Sequence, residues 1–120
     1  MRIATILQQI ATHLDPSARV KLGSHYLVVC PRIGCTDGFN LSVQASESAY
    51  CLPRNNDGRW YKVEVGFPNR VEPLLLPYAE DYTDPTNTVY GYVPVELVAL
   101  VIQRHGGIAN TPELDDGQKT

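Results

Sequence analysis

The sequence predicts an α+β domain: an antiparallel sheet of four or five strands, with an N-terminal and a C-terminal helix packed on one face. Apolar residues recur at helical spacing near both ends of the chain, and apolar and polar residues alternate in several stretches between them. The connections between these stretches are of hairpin length, which favours antiparallel pairing. The 120 residues suffice for one domain. We assign it to residues 1–108 and expect 109–120 to be a polar, disordered tail.

The two predicted helices each carry one apolar stripe. The first stripe consists of Ile3, Ile6, Leu7, Ile10 and Leu14. Asp15-Pro16 ends this helix, because the residue before a proline disfavours helical geometry. The second helix begins near Pro94, with Glu96 in its first turn and Gly106-Gly107 as its stop. Its apolar face consists of Leu97, Val98, Val101 and Ile102.

The predicted strands differ in how clearly they are marked. The clearest begins at Phe39, where Leu41 and Val43 alternate with polar residues. The others are residues 20–30 with a possible turn at 23–24, a hairpin of 49–54 and 59–67 around a turn at 55–58, an edge strand at 74–77, and 89–93. Residues 31–38 and 78–88 are expected to be loops, because prolines, glycines and Asx residues punctuate them. Pro73 and Pro77 restrict the segment between them to the edge of the sheet.

Charge and hydropathy exclude some classes of function. The net charge is −3 and no basic stripe is visible, which argues against non-specific nucleic-acid binding. No apolar run approaches the ~20 residues of a membrane span. The N-terminal segment is amphipathic and lacks the apolar core of a signal peptide, so we expect a cytoplasmic protein that does not bind membranes.

No motif of the sequence specifies catalysis. Phosphate-binding glycine loops are absent, and no local signature marks a nucleophile beside any cysteine. A zinc site from His25, Cys30, Cys35 and Cys51 would lack the paired C-x2-C spacing that makes such an assignment strong. Buried thiols are the favoured alternative. We therefore predict no enzyme activity, no metal and no cofactor.

One candidate site surrounds the predicted hairpin turn. Arg54 and Arg59 flank the turn, and an arginine fork beside an aromatic face suits a nucleotide, through phosphate contacts and base stacking. The aromatic residues assigned to this site are Tyr50, Trp60 and Tyr61, together with the loop residues Tyr78 and Tyr82. The alternative is that both arginines are exposed charges that set strand register.

A second candidate site is the acidic, tyrosine-rich loop at 78–88. Glu80, Asp81 and Asp84 cluster there, and tyrosines are common in recognition surfaces. Such a loop suits a basic site on a partner protein. The same carboxylates suggest a less favoured acid–base hydrolase, or a merely solvated loop. Whether Tyr90 and Tyr92 share a face against the core or serve recognition stays open at this point.

Several strings in the last two-thirds of the chain resemble a family of small bacteriophage and prophage accessory proteins. They include EVGFP, PLLLPYAED, TVYGYVPVELV and HGGI. The resemblance implies a phage protein acting in the host cytoplasm, and by analogy of class a counter-defence factor. The expected function is sequestration of a host immune nucleotide signal; the alternative is inhibition of a bacterial defence effector by protein binding. We also expect a homo-oligomer, because Leu74, Leu75 and Leu76 form an apolar edge.

Overall fold

The computed structural model describes residues 2–15, 20–22, 25–27 and 30–110, which form two helices and seven short strands. In chain order they are α1 Ile3–His13, β1 Val20–Leu22, β2 His25–Leu27, β3 Ile33–Cys35, β4 Asn40–Gln44, β5 Lys62–Gly66, β6 Val89–Pro94, α2 Val95–Arg104 and β7 Ile108–Asn110. None of the helices in these described ranges is long and apolar enough to cross a membrane.

Five strands form one sheet in the order β6-β5-β4-β3-β7, and every pair is antiparallel. Strands β1 and β2 form a separate, two-stranded antiparallel sheet. The turn predicted at 23–24 lies outside the described residues. The predicted α+β class, the antiparallel sheet and both terminal helices are confirmed.

The core lies between the sheet and the two helices. Alternation in β4 and β5 buries Leu41, Val43, Val63 and Val65 completely. Both helices contribute to the same buried cluster, and α1 contacts α2 directly. Their fully buried residues are Ile6, Ile10, Val98, Ala99, Val101 and Ile102. The predicted apolar stripes therefore face the core.

The predicted strand at 49–54 is wrong. Only Leu52 forms a bridge, to Lys62, and the neighbours of β5 in the sheet are β4 and β6. The backbone of this segment bonds elsewhere: the Tyr50 N–H donates to the Glu64 carboxylate and the Cys51 N–H to the Ala49 carbonyl. Pro53 has no N–H to donate, so the segment cannot extend a ladder.

The predicted edge strand at 74–77 is also wrong. The segment turns and enters a 3-10 helix, Leu76–Tyr78, with local bonds from Leu76 N–H to Pro73 O and from Tyr78 N–H to Leu75 O. Leu75 is fully buried in the core. Leu75 therefore packs inward and the segment presents no strand edge, which removes the basis on which a homo-oligomer was expected.

Two strands lie where none was predicted. Residues 31–38 were expected to be a loop but contain β3, and the domain boundary expected at 108 falls inside β7. Each has only three residues, too few for periodicity to reveal, and each depends on pairing with the other across the sheet. Residues 111–120, most of the predicted tail, lie outside the described residues.

Candidate functional site

The acidic loop, residues 79–88, is fastened to β6 at three points. Ala79 forms an antiparallel bridge with Tyr90, and the Glu80 N–H donates to the Val89 carbonyl at 2.9 Å. The hydroxyl of Tyr90, whose ring is fully buried, donates to the carbonyl of Pro85. The loop is therefore anchored to β6 twice at its start, through Ala79 and Glu80, and once in its middle, through Pro85.

Hydrogen bonds within the acidic loop fix its shape. Asp81 Oδ1 accepts from the Thr83 N–H at 3.0 Å and from the Thr83 hydroxyl at 2.5 Å. These two bonds, the side-chain bond first, lower the pKa of Asp81 from its ordinary value. Asp84 Oδ1 accepts from the Asn87 side-chain amide at 3.1 Å. Two carboxylates thus organise the loop while remaining at the surface.

The side chains of Glu80, Asp81 and Asp84 are all exposed, as the sequence predicted for a recognition loop. Tyr82 projects between them with 74% of its surface exposed. Tyr78 does not join them, because it is half-buried in the 3-10 turn and packs against the core. The loop presents one aromatic ring and three carboxylates to solvent.

A second exposed surface arises from a bulge in β6. Val63 is opposite Val93 and Val65 is opposite Tyr90, so Gly91 and Tyr92 together face Glu64. Tyr92 takes a left-handed φ of 54°. Tyr90 is consequently fully buried while Tyr92 is 39% exposed. The two tyrosines do not share a face, which resolves the alternative left open by the sequence.

Two hydrogen bonds of the Tyr50 backbone hold this residue beside Tyr92. Its N–H donates to Glu64 Oε1 at 3.0 Å, and its carbonyl accepts from the Tyr92 N–H at 3.0 Å. Gly91 permits the approach, since a Cβ there would lie 3.3 Å from the Tyr50 Cβ. The ring centroids are 6.0 Å apart and tilted by 37°. We call Tyr50 and Tyr92 the tyrosine pair.

Arg54 is the predicted arginine that reaches this surface. Its guanidinium carbon lies 5.8 Å from the Tyr50 ring centroid, and its Nε donates to the Glu47 carbonyl at 3.2 Å. The other predicted ligands follow the turn, where Gly58 has the expected positive φ of 111°. Arg59 and Tyr61 are exposed there, whereas Trp60 packs against the core. Trp60 is only partly buried, and its contact with the core covers part of the surface that a stacked base would use.

A third group, the histidine cluster, was not predicted. His105 follows α2, and its Nδ1 lies 2.6 Å from Asp37 Oδ2 while its Nε2 lies 2.9 Å from Glu72 Oε1. Its ring stacks on Phe39, with centroids 4.0 Å apart and planes at 12°. Arg70 adds an ion pair to Asp37 at 3.4 Å. The Phe39 N–H first, and then His105, lower the pKa of Asp37.

The histidine cluster suits a structural role. Both ring nitrogens face carboxylate oxygens, so neither is directed at a substrate. His105 lies at the end of the second predicted helix, and its place in the sequence indicates no partner for it. The signal for the rest was missing, because Asp37 and Glu72 lie 68 and 33 residues away in the chain.

All three cysteines are buried, which agrees with the alternative favoured over a zinc site. Burial first, and the charge of Asp37 second, raise the pKa of the Cys35 thiol to about 11, although Arg70 opposes the shift. No group of three or more potential metal ligands occurs among the described residues. The side chain of His25 is not among them.

The acidic loop and the tyrosine pair are therefore the exposed candidates, while the histidine cluster ties segments of the fold together. No protein-family model, curated protein or solved structure matches this chain.

Proposed function

We propose that this chain is a non-enzymatic binding protein whose acidic loop covers a basic site on a partner protein. The observation that carries the proposal is Tyr82, exposed by 74% at the centre of a loop that hydrogen bonds hold in one shape. The resemblance to phage accessory proteins supports a bacterial defence effector as the partner, and action in the host cytoplasm.

Pre-organisation supports this function. Immobilising a loop on binding costs free energy, and a loop that is already fixed avoids much of that cost. A protruding tyrosine brings contact area with few rotatable bonds, and exposed carboxylates accept charge-assisted hydrogen bonds from arginine or lysine. Glu80, Asp81 and Asp84 flank Tyr82 in the sequence, and all four side chains are exposed.

Sequestration of a host nucleotide signal is the second candidate. The observation that favours it is the Arg54 guanidinium lying over the exposed Tyr50 ring. A base stacked on Tyr50 and a phosphate on Arg54 would use these groups as the sequence suggested. It is less supported than protein binding, because Trp60, an expected stacking residue, packs against the core.

The two candidates separate in a phage infection assay on an immune host. The double variant Glu80→Lys, Tyr82→Ala alters two exposed side chains and leaves the loop-fixing Asp81 and Asp84 in place. We expect it to abolish protection of the phage. Glu96→Lys, which makes the same charge change on the exposed face of α2, should leave protection intact.

The third variant in the infection assay is Arg54→Glu, which tests the nucleotide candidate. If protein binding through the acidic loop is correct, this variant protects the phage nearly as well as the parent. Loss of protection with Arg54→Glu, together with retention in the double variant, would favour the nucleotide candidate. Thermal melts of the double variant and of Arg54→Glu should match the parent, because each altered side chain is exposed. Glu96→Lys should melt slightly lower, because it places a positive charge in the first turn of α2.

A further inference from the structure

We infer that the tyrosine pair extends the interface of the acidic loop and receives an arginine side chain from the same partner. The inference rests on the proposed function, and it specifies the partner as a protein surface with clustered arginines. It uses Tyr92, which the sequence did not assign to any site, and it gives Tyr50 a different ligand.

The tyrosine pair is a built feature of the fold. The two rings lie together where the strand has a bulge, where Tyr92 has a left-handed φ of 54°, and where a side chain on Gly91 would crowd Tyr50. Residues with a Cβ adopt left-handed backbone at an energetic cost, so such positions persist where surrounding contacts enforce them. Both rings nevertheless remain at the surface, 40% exposed for Tyr50 and 39% for Tyr92.

The aromatic rings of the tyrosine pair suit a guanidinium. The ring of Tyr50 already lies under one guanidinium, that of Arg54, at 5.8 Å. Arginine stacks on aromatic faces through cation–π attraction and planarity, and lysine offers only a compact charge. The carboxylate of Glu64 also lies at the pair, bonded to the Tyr50 N–H. The negative charge of Glu64 offsets the positive charge of Arg54, so a second guanidinium can approach the exposed rings.

The acidic loop and the tyrosine pair lie along one strand. Glu80 bonds to Val89 at one end of β6, and Tyr92 lies three residues further along it. A strand rises about 3.3 Å per residue, which separates the two features by about 10 Å along β6. A standard interface buries about 800 Å² on each partner, so one partner surface reaches both. Arginines spaced across a basic surface would meet carboxylates at the loop and aromatic rings at the pair.

The test uses two fluorescent peptides of equal length and charge, one rich in arginine and one rich in lysine, titrated by anisotropy at low salt. The parent protein should bind the arginine peptide more tightly. Tyr92→Asn removes the ring and keeps a residue that tolerates the left-handed region. We expect it to weaken arginine-peptide binding by about two- to fivefold, the size of one exposed cation–π contact, and to leave lysine-peptide binding unchanged.

Two control variants test whether the effect of Tyr92→Asn is specific to the rings of the tyrosine pair. Tyr50→Phe keeps the ring and should bind like the parent, while Tyr61→Asn removes an exposed ring outside the pair and should have no effect. Equal binding of the two peptides by the parent, or equal weakening of both by Tyr92→Asn, would overturn the inference. So would saturable binding of an adenine nucleotide that Tyr92→Asn abolishes.

The same titrations distinguish failure of the proposed function from failure of this inference. If Glu80→Lys, Tyr82→Ala leaves binding of both peptides unchanged, the acidic loop is not the basic-partner site. If that double variant eliminates binding while Tyr92→Asn behaves like the parent, the acidic loop acts alone and the tyrosine pair has no part in recognition.

Discussion

The contacts of His105 join three segments that are distant in the sequence. Its ring connects the end of α2 to Asp37, in the turn between β3 and β4, and to Glu72, just before the turn that leads to the 3-10 helix. Glu72 is only 7% exposed, so its carboxylate depends on internal donors. A histidine in this position therefore contributes to stability through a carboxylate that water cannot easily solvate.

We predict that His105→Ala lowers the free energy of unfolding by about 1.5–3 kcal/mol, because a buried charged group loses a hydrogen bond. The measurement is equilibrium urea unfolding. Arg70→Ala is the matched control: it removes an ion pair between half-exposed side chains and a hydrogen bond to the Asp37 carbonyl, and it should cost less than His105→Ala. Equal losses in the two variants would show that Glu72 does not depend on His105.

Asp37 gives the histidine cluster a predictable pH dependence. Its pKa is lower in the folded protein than in the unfolded chain, mainly through the Phe39 N–H and then through His105. The folded state therefore favours the carboxylate, and the unfolded state binds the proton more readily. The stability from Asp37 is present above the unfolded-state pKa and is lost as pH falls through the folded-state pKa.

We accordingly expect Asp37→Asn to lower the melting temperature at neutral pH and to match the parent more closely in acid. Melting curves recorded from neutral pH down through the carboxylate range provide the test. A constant difference between the parent and Asp37→Asn across that range would contradict the assignment.

At the scale of the element, the sequence predicted the helices and strands that are long enough to show a hydrophobic period. Alternation in the sequence identified β4, β5 and β6, and helical spacing with cap and stop residues identified α1 and α2. The strands β3 and β7 were not predicted, because three residues are too few to show a hydrophobic period and because the two strands pair with each other across the sheet. The bulge at Gly91 escaped for the same reason, since it is defined by the register with β5.

For the candidate sites, the sequence predicted the residues that are neighbours in the chain and missed those that the fold brings together. The acidic loop is contiguous in sequence, so Glu80, Asp81, Tyr82 and Asp84 were found together. The tyrosine pair joins residues 50 and 92 from separate segments, and its geometry depends on the bulge. The contact of Trp60 with the core, where its Nε1–H bonds to the Asn55 carbonyl, could not be predicted either, because it depends on how the turn packs.

The helices allow a quantitative test of packing. Val98 and Ile10 are fully buried, whereas Leu7, on the edge of the same α1 stripe, is only partly buried. We predict that Val98→Asp and Ile10→Asp each cost about 3–5 kcal/mol, because each would bury an unpaired charge. Leu7→Asp should cost less, since its carboxylate can reach water. Urea unfolding that ranks Leu7→Asp with the other two would place that side chain deeper in the core.

At the scale of the whole molecule, the remaining expectation is self-association. The edge first considered, Leu74 to Leu76, is excluded as a strand because Leu75 is buried in the core. Phe67 and Val71 are the apolar side chains that now stand out, with exposures of 48% and 54%. They lie four residues apart in the segment that follows β5. We take these two side chains as the candidate contact with a second copy of the chain.

We predict a homodimer at micromolar concentration that buries Phe67, measured as a doubled mass by light scattering. Phe67→Asn should give the monomer mass. The variant should melt no lower than the parent when both are measured as monomers, because Phe67 has a φ of 48° that asparagine tolerates better. Val71→Ala, which removes less apolar surface, should weaken the dimer without abolishing it. A parent protein that scatters as a monomer would contradict self-association, and a Phe67→Asn variant that stays dimeric would place the interface elsewhere.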